Sequence, residues 1–183
     1  MAKIELLSEQ LLGIMVSRLA QELVENYDDF KDTVILGMQP RGVFLAERVS
    51  KRILAETGIS VPVGYLDITF DRDDFRRRPV QAKANETKVP FIIEEKKVVL
   101  IDDVLYSGRS IRAALTAMLS FGRPAKVELL VMIDRMYGRD LPIQPNYIGK
   151  SVNTIQSQKV IVEWKEQGFE KDTIWLVNQA DSN

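Results

Sequence analysis

The stretch VVLIDDVLYSGRS, residues 98–110, decides how this chain is read. Val98, Val99, Leu100 and Ile101 form a short apolar run that leads directly into two adjacent carboxylates, Asp102 and Asp103. A turn containing Ser107, Gly108 and Ser110 follows and opens a segment of helical periodicity. A continuous apolar run of this length suits a strand buried on both faces. The first N–H groups of a helix have no partner within it and carry the positive end of its dipole, so a phosphate is accommodated there. The neighbouring carboxylates can accept hydrogen bonds from sugar hydroxyls. Strand, carboxylates and turn together suit a sugar phosphate, whereas an isolated aspartate pair would be equally at home in a solvated turn or a helix cap.

Working outward, the flanking sequence alternates between strand and helix patterns. Ser8 is a plausible N-cap for a helix marked by Leu11, Leu12, Met15, Val16, Leu19, Ala20, Leu23 and Val24. TVILGM (33–38) reads as a buried strand, followed by the loop Gln39-Pro40-Arg41-Gly42 and a helix from Val43 to about Glu56, ended by Gly58. Val61 to Phe70 reads as a strand. Residues 71–90 are polar and charged without periodicity, the pattern of a long functional loop. After the strand Lys97 to Ile101 comes a helix marked by Ile111, Ala114, Leu115, Met118 and Phe121, closed by Gly122 and Pro124. KVELLVMI (126–133) is a further buried strand, ending at Asp134, and Lys159 to Trp164 and Thr173 to Val177 are short strand-like runs. The alternation predicts an α/β fold with a mostly parallel central sheet flanked by helices. In such sheets ligands bind beyond the carboxyl ends of the strands. Polar groups gather at three of those ends, at 38–42, 102–110 and 134–139.

Composition narrows the chemistry. The 183 residues suit a single domain, and 45% apolar content supplies a core. With 25 basic and 26 acidic residues the net charge is -1, which argues against wholesale nucleic-acid binding but allows a local patch. There is no cysteine and no histidine, so disulfides, thiolate nucleophiles and histidine-based triads or zinc sites are excluded. A metal here would be bound by oxygen, and magnesium held partly by substrate phosphates fits best. No apolar run approaches the ~20 residues of a membrane span, and MAKIELLSEQLLGIM lacks a signal-peptide pattern. A cytoplasmic protein is expected.

The motif is similar to the phosphoribosyl pyrophosphate (PRPP) signature of the type I phosphoribosyltransferases. Four blocks resemble the PyrR family more specifically: DDVLYSGRS, DITFDRDD (67–74), IDR (133–135) and LPIQPNYIGKSV (141–152). That family combines uracil phosphoribosyltransferase activity with attenuation of the pyrimidine operon, and the resemblance spans about residues 5–178. It implies the type I fold with a small hood made by the C-terminal part at about 134–160, and the reaction of uracil with PRPP to give UMP and pyrophosphate with Mg2+. Asp102 and Asp103 would hold the ribose hydroxyls. Val104, Leu105 and the loop Tyr106, Ser107, Gly108, Arg109 and Ser110 would bind PRPP, the loop cradling its 5′-phosphate. Arg41, in the loop with Gln39, Pro40 and Gly42, would meet the pyrophosphate, for which its planar donor fork is suited. A lid at about 71–88, with Arg72, Arg76, Arg77 and Arg78, would exclude water. Ile133, Asp134, Arg135 and Arg139 would line the base site. The magnesium would be held mainly by PRPP rather than by protein ligands.

Departures from the family pattern define what the structure must answer. Pro40 precedes Arg41, where it offers no N–H to a pyrophosphate. Residues 135–139 (Arg-Met-Tyr-Gly-Arg) form a longer turn without the family's histidine. At the family's RNA-contacting positions the first helix carries Ser17, Arg18 and Gln21, with Asn26 further on. Tyr106 stands where purine-specific relatives carry an aspartate that acts on the base. Asp134 can equally cap a turn, and Lys150 can be structural or a ligand neighbour. Three functions therefore compete: a uracil phosphoribosyltransferase, a UMP-sensing RNA-binding attenuator with little catalysis, and a purine phosphoribosyltransferase. A homodimer or homotetramer is implied by the same resemblance.

Overall fold

Apolar residues on both faces of the central strands force helices onto both sides of the sheet. A computed structural model describes residues 3–72 and 85–178. Its main sheet has five strands: β2 (Thr33–Met38), β3 (Val63–Leu66), β4 (Lys97–Leu105), β5 (Lys126–Arg135) and β6 (Tyr147–Val152). All pairings are parallel and the order is β3-β2-β4-β5-β6. Ile35, Val99, Ile101, Leu130 and Met132 face helices α1 (Glu9–Tyr27) and α2 (Gly42–Thr57). Val34, Leu36, Val98, Leu100 and Val131 face α3 (Arg109–Met118). Two apolar cores therefore sandwich one sheet, as period-2 side-chain alternation requires.

Local signals explain the helix limits. Ser8 accepts a hydrogen bond from the Leu11 N–H and begins α1, and Gly58, at φ 74, ends α2. A short 3₁₀ turn, Leu119–Phe121, extends α3 before Gly122. The strand expected over 61–70 is shorter. After Leu66, the Asp67 carboxylate accepts from the Thr69 hydroxyl at 2.7 Å and from the Asn85 N–H at 3.2 Å. That polar turn ends pairing with β2 and draws the two flanks of the segment 73–84 together. Arg76, Arg77 and Arg78 lie outside the described residues.

The hood is built differently from the expectation. It is a three-stranded antiparallel sheet in the order β1-β8-β7, from β1 (Lys3–Leu7), β7 (Gln158–Glu163) and β8 (Thr173–Asn178). Within 134–160, β5 runs to Arg135 and β6 forms the edge of the main sheet, and only the start of β7 belongs to the three-stranded sheet. Arg48 of α2 fastens the hood. It donates to Asp172 at 2.7 and 3.0 Å and to Glu166 at 2.7 and 3.1 Å, and its guanidinium lies 4.5 Å from the Trp164 ring centre. Among the described residues no helix is long and apolar enough to cross a membrane.

Candidate active site

A cleft of about 270 Å³ opens at the carboxyl ends of β2 and β4, where a parallel sheet presents its loops. Asp102 and Asp103 lie within β4, which continues to Leu105 beyond the apolar run. Asp103 is buried, and each carboxylate is oriented by the next backbone N–H: Asp103 N to Asp102 Oδ1 and Val104 N to Asp103 Oδ1, both at 2.9 Å. Burial, and then the charge of Asp103, push the Asp102 carboxyl well above its ordinary range.

Arg41 reaches these carboxylates because of the glycine that follows it. A Cβ on Gly42 would sit 2.5 Å from the Ile101 carbonyl oxygen and 3.0 Å from the Asp102 Cα, so only glycine lets α2 start this close to β4. Arg41 Nε then lies 2.9 Å from Asp103 Oδ2, within ion-pair distance but without hydrogen-bond alignment. Both atoms are buried and lack a hydrogen-bond partner, so each retains capacity for one. Gln39 and Pro40, joined by a cis peptide, complete this wall.

The other wall is the start of α3. Gly108, at φ 88, turns the chain into the helix, and the Ser107 carbonyl accepts from the N–H groups of Asp140 and Leu141 at 3.0 and 3.2 Å. Arg109 pairs with Asp140 at 2.9 Å. The Ser110 hydroxyl faces the cleft and accepts from Arg72 at 2.7 Å, joining this loop to the root of the segment 73–84. The Leu105 side chain is in the core rather than the cleft.

Segment 133–139 lies outside the residues that line this cleft. Ile133 is fully buried in the core. Asp134 accepts from Arg139, which also donates to the Tyr106 carbonyl. Arg135 donates to Thr154 and to the Gln158 carbonyl, at 2.9 and 2.8 Å, and stacks on the Tyr106 ring at 3.7 Å. Arg135 and Arg139 direct these donors to Thr154, Gln158, Tyr106 and Asp134, while Val104 and Val160 are among the apolar residues that line the cleft. Met38, Ile68, Thr69, Asn85 and Val160 also line it and escaped sequence reasoning, because nothing local marks them. Ile68 and Thr69 lie inside the block DITFDRDD, although neither was singled out by itself.

On α1, Arg18 donates to the carbonyls of Ile148 and Gly149 at 2.9 and 2.7 Å and pairs with Glu22, so it braces the edge strand β6. Ser17 and Asn26 donate to carbonyls of their own helix.

The chain resembles known proteins over most of its length. The family model for the phosphoribosyl transferase domain matches residues 4–167. The "Bifunctional protein PyrR" of Picosynechococcus sp. is 46% identical over 87% of this chain and 89% of its own length. That of Listeria monocytogenes serotype 4b is 39% identical over 98% of both chains. Among solved structures, the hypoxanthine phosphoribosyltransferase of Trypanosoma cruzi superposes with a TM-score of 0.70 at 12% identity, covering 96% of this chain and 97% of that one. That of Staphylococcus aureus gives 0.67 at 19%, covering 93% and 90%. The structural likeness establishes the fold; with identities of this size over nearly full length, the chain belongs to the PyrR family and is a phosphoribosyltransferase.

Proposed function

We propose that this enzyme transfers the phosphoribosyl group of PRPP to uracil, giving UMP and pyrophosphate. The observation that carries the reading is the meeting of Arg41, the Asp102–Asp103 pair and Ser110 in one cleft, from three separate elements. They match the three polar parts of PRPP. The carboxylates accept from the ribose hydroxyls, Ser107 to Ser110 receive the 5′-phosphate at the start of α3, and Arg41 takes the pyrophosphate.

As the bond to pyrophosphate stretches, positive charge develops on the sugar and negative charge on the leaving group. Asp102 and Asp103 stabilise the first and Arg41 the second, from positions fixed before substrate arrives. Arg41 Nε and Asp103 Oδ2 lie 2.9 Å apart, and in this reading the two groups flank the bond that breaks. Lacking cysteine and histidine, the chain works by electrostatics and exclusion of water rather than through a thiolate or imidazole. Arg72, already on Ser110, lets the lid at 71–88 close over PRPP, with Arg76, Arg77 and Arg78 contributing.

Among the described residues there is no group of three acidic ligands able to cage a metal. The two cleft carboxylates fit an ion held mainly by substrate oxygens, which is the magnesium mode. Magnesium bound with PRPP neutralises pyrophosphate charge, and Asp102 and Asp103 are the residues that would hold it. Uracil is favoured over a purine by Tyr106 in place of the purine-associated aspartate, and Val104 and Val160 offer an apolar bed for a flat ring.

The direct test is UMP formation from labelled uracil and PRPP with magnesium, with hypoxanthine, guanine, adenine and orotate in parallel. Uracil-only turnover is expected; turnover with a purine instead would overturn the base assignment.

A second role in binding pyrimidine-operon leader RNA is supported by the word "bifunctional" in the relatives' name. Arg18, however, is engaged by β6. Filter binding with and without UMP reads this role. Tight UMP-enhanced binding together with no turnover would make regulation the primary function. A cytoplasmic homodimer or homotetramer completes the proposal.

A further inference from the structure

We propose that Arg135 is a positioning residue for the phosphate-binding loop: with Gly138 it clamps the ring of Tyr106 and so holds Ser107 to Ser110 in shape. This assignment rests on the reading of that loop as the 5′-phosphate site.

Arg135 is the last residue of β5 and is buried. Two of its nitrogens are committed, Nε to the Thr154 hydroxyl at 2.9 Å and an amino group to the Gln158 carbonyl at 2.8 Å. Thr154 lies on the connection from β6 into the hood, and Gln158 is the first residue of β7. With its edge tied there, the guanidinium carbon lies over the Tyr106 ring, 3.7 Å from its centre. Burying a cation is costly unless it is paired or stacked, and here its bonds are made away from the substrate cleft. Its place is therefore structural support of the ring rather than contact with the base.

Gly138 bounds the same ring. A Cβ at that position would fall 1.8 Å from Tyr106 Cε2 and 2.4 Å from Cδ2, so any larger residue must displace the ring. The backbone is gripped as well: Arg139 donates to the Tyr106 carbonyl, and Asp140 and Leu141 donate to that of Ser107. Segment 135–141 thus holds the two residues that lead into Gly108 and the start of α3. The longer turn at 135–139, which departs from the family pattern, is the element that supplies the glycine beneath the ring.

A loop released from this clamp binds the phosphate less well in ground state and transition state alike. The kinetic signature is a raised KM for PRPP with a smaller change in kcat. Lysine keeps the charge but cannot present a planar face to an aromatic ring.

The experiment compares Arg135→Lys and Gly138→Ala, each also made in a Tyr106→Leu background, for KM of PRPP and of uracil. Each single substitution is expected to raise the PRPP KM about tenfold and to leave the uracil KM within about twofold. In the Tyr106→Leu background neither should add, because the clamped ring is gone. A rise in uracil KM with PRPP KM unchanged would overturn the proposal and return Arg135 to the base site; additive effects would overturn it too. If the unsubstituted enzyme transfers nothing to uracil, the reaction assigned above has failed, and the same series is read as PRPP affinity by calorimetry. There a tenfold loss in both single variants upholds the clamp and unchanged affinity overturns it. Should Gly138→Ala not fold, Arg135→Lys and its double variant decide alone.

Discussion

At the residue scale the candidate site turns on two adjacent carboxylates, Asp103 buried and Asp102 half-buried at the cleft. Replacing Asp102 and Asp103 together with asparagine keeps shape and removes charge, and should lower the transfer rate at least ~100-fold. Near-normal turnover would remove both from the ribose role. Asp102 also sets a trade between stability and function. Because burial and the Asp103 charge raise its pKa, its charged form is disfavoured in the folded state. A raised carboxyl pKa gives stability that is full below the ordinary carboxylate value (about 4) and is lost as pH rises through the folded value. Asp102→Asn should therefore raise Tm at neutral pH, with the gain vanishing in acid, while activity falls. Thermal unfolding of both proteins across that range measures it.

At the scale of elements the decisive joint is between hood and sheet. Burial by itself would raise the Asp172 carboxyl, but the Arg48 guanidinium and the Lys165 N–H hold it below the usual range. A depressed carboxyl contributes stability above its unfolded pKa and loses it as pH falls through the folded value. Arg48→Ala leaves Asp172 buried and unpaired, and should cost about 2 kcal/mol at neutral pH. That is below the figure for a fully buried pair, because Glu166 and the edge of Arg48 reach water. The loss should shrink in acid, and amide exchange in β7 and β8 should rise before that of β4; uniform exchange would show that the hood does not open separately. The legibility of elements follows their burial. TVILGM announced β2 to the residue, and β4 and β5 stood out as apolar runs covered by helices on both faces. Edge strand β6, YIGKSV, carries Gly149, Lys150 and Ser151 and shows no such run. Likewise β1 is five residues long with one buried residue, Leu7, and its pairing partner β8 lies at the other end of the chain.

At the scale of the whole molecule, ligand and fold are linked by mass action. PRPP at a hundred times its Kd should stabilise the folded state by about 2.7 kcal/mol, raising Tm by roughly 5–10 °C for a chain of this size. The shift, read by scanning calorimetry, should disappear in the Asp102/Asp103 double variant; its persistence would place PRPP elsewhere. The arrangement proposed to hold the phosphate was readable in residues 98–110 because its parts are contiguous: a buried strand, two carboxylates, a turn and the first N–H groups of a helix. Arg41 was readable for the same reason, as it follows a strand directly. The rest needed distance to be abolished. The hood pairs Lys3–Leu7 with Thr173–Asn178, at opposite ends of the chain, and Val160 reaches the cleft only through that sheet. The roles of Arg135 and Arg139 turned on where their donors point, and a side chain's direction is set by its packing partners. Local burial and backbone chemistry determined the strand, carboxylates and turn of 98–110; long-range pairing and side-chain packing decided the three-stranded sheet, the place of Val160 at the cleft and the contacts around Tyr106.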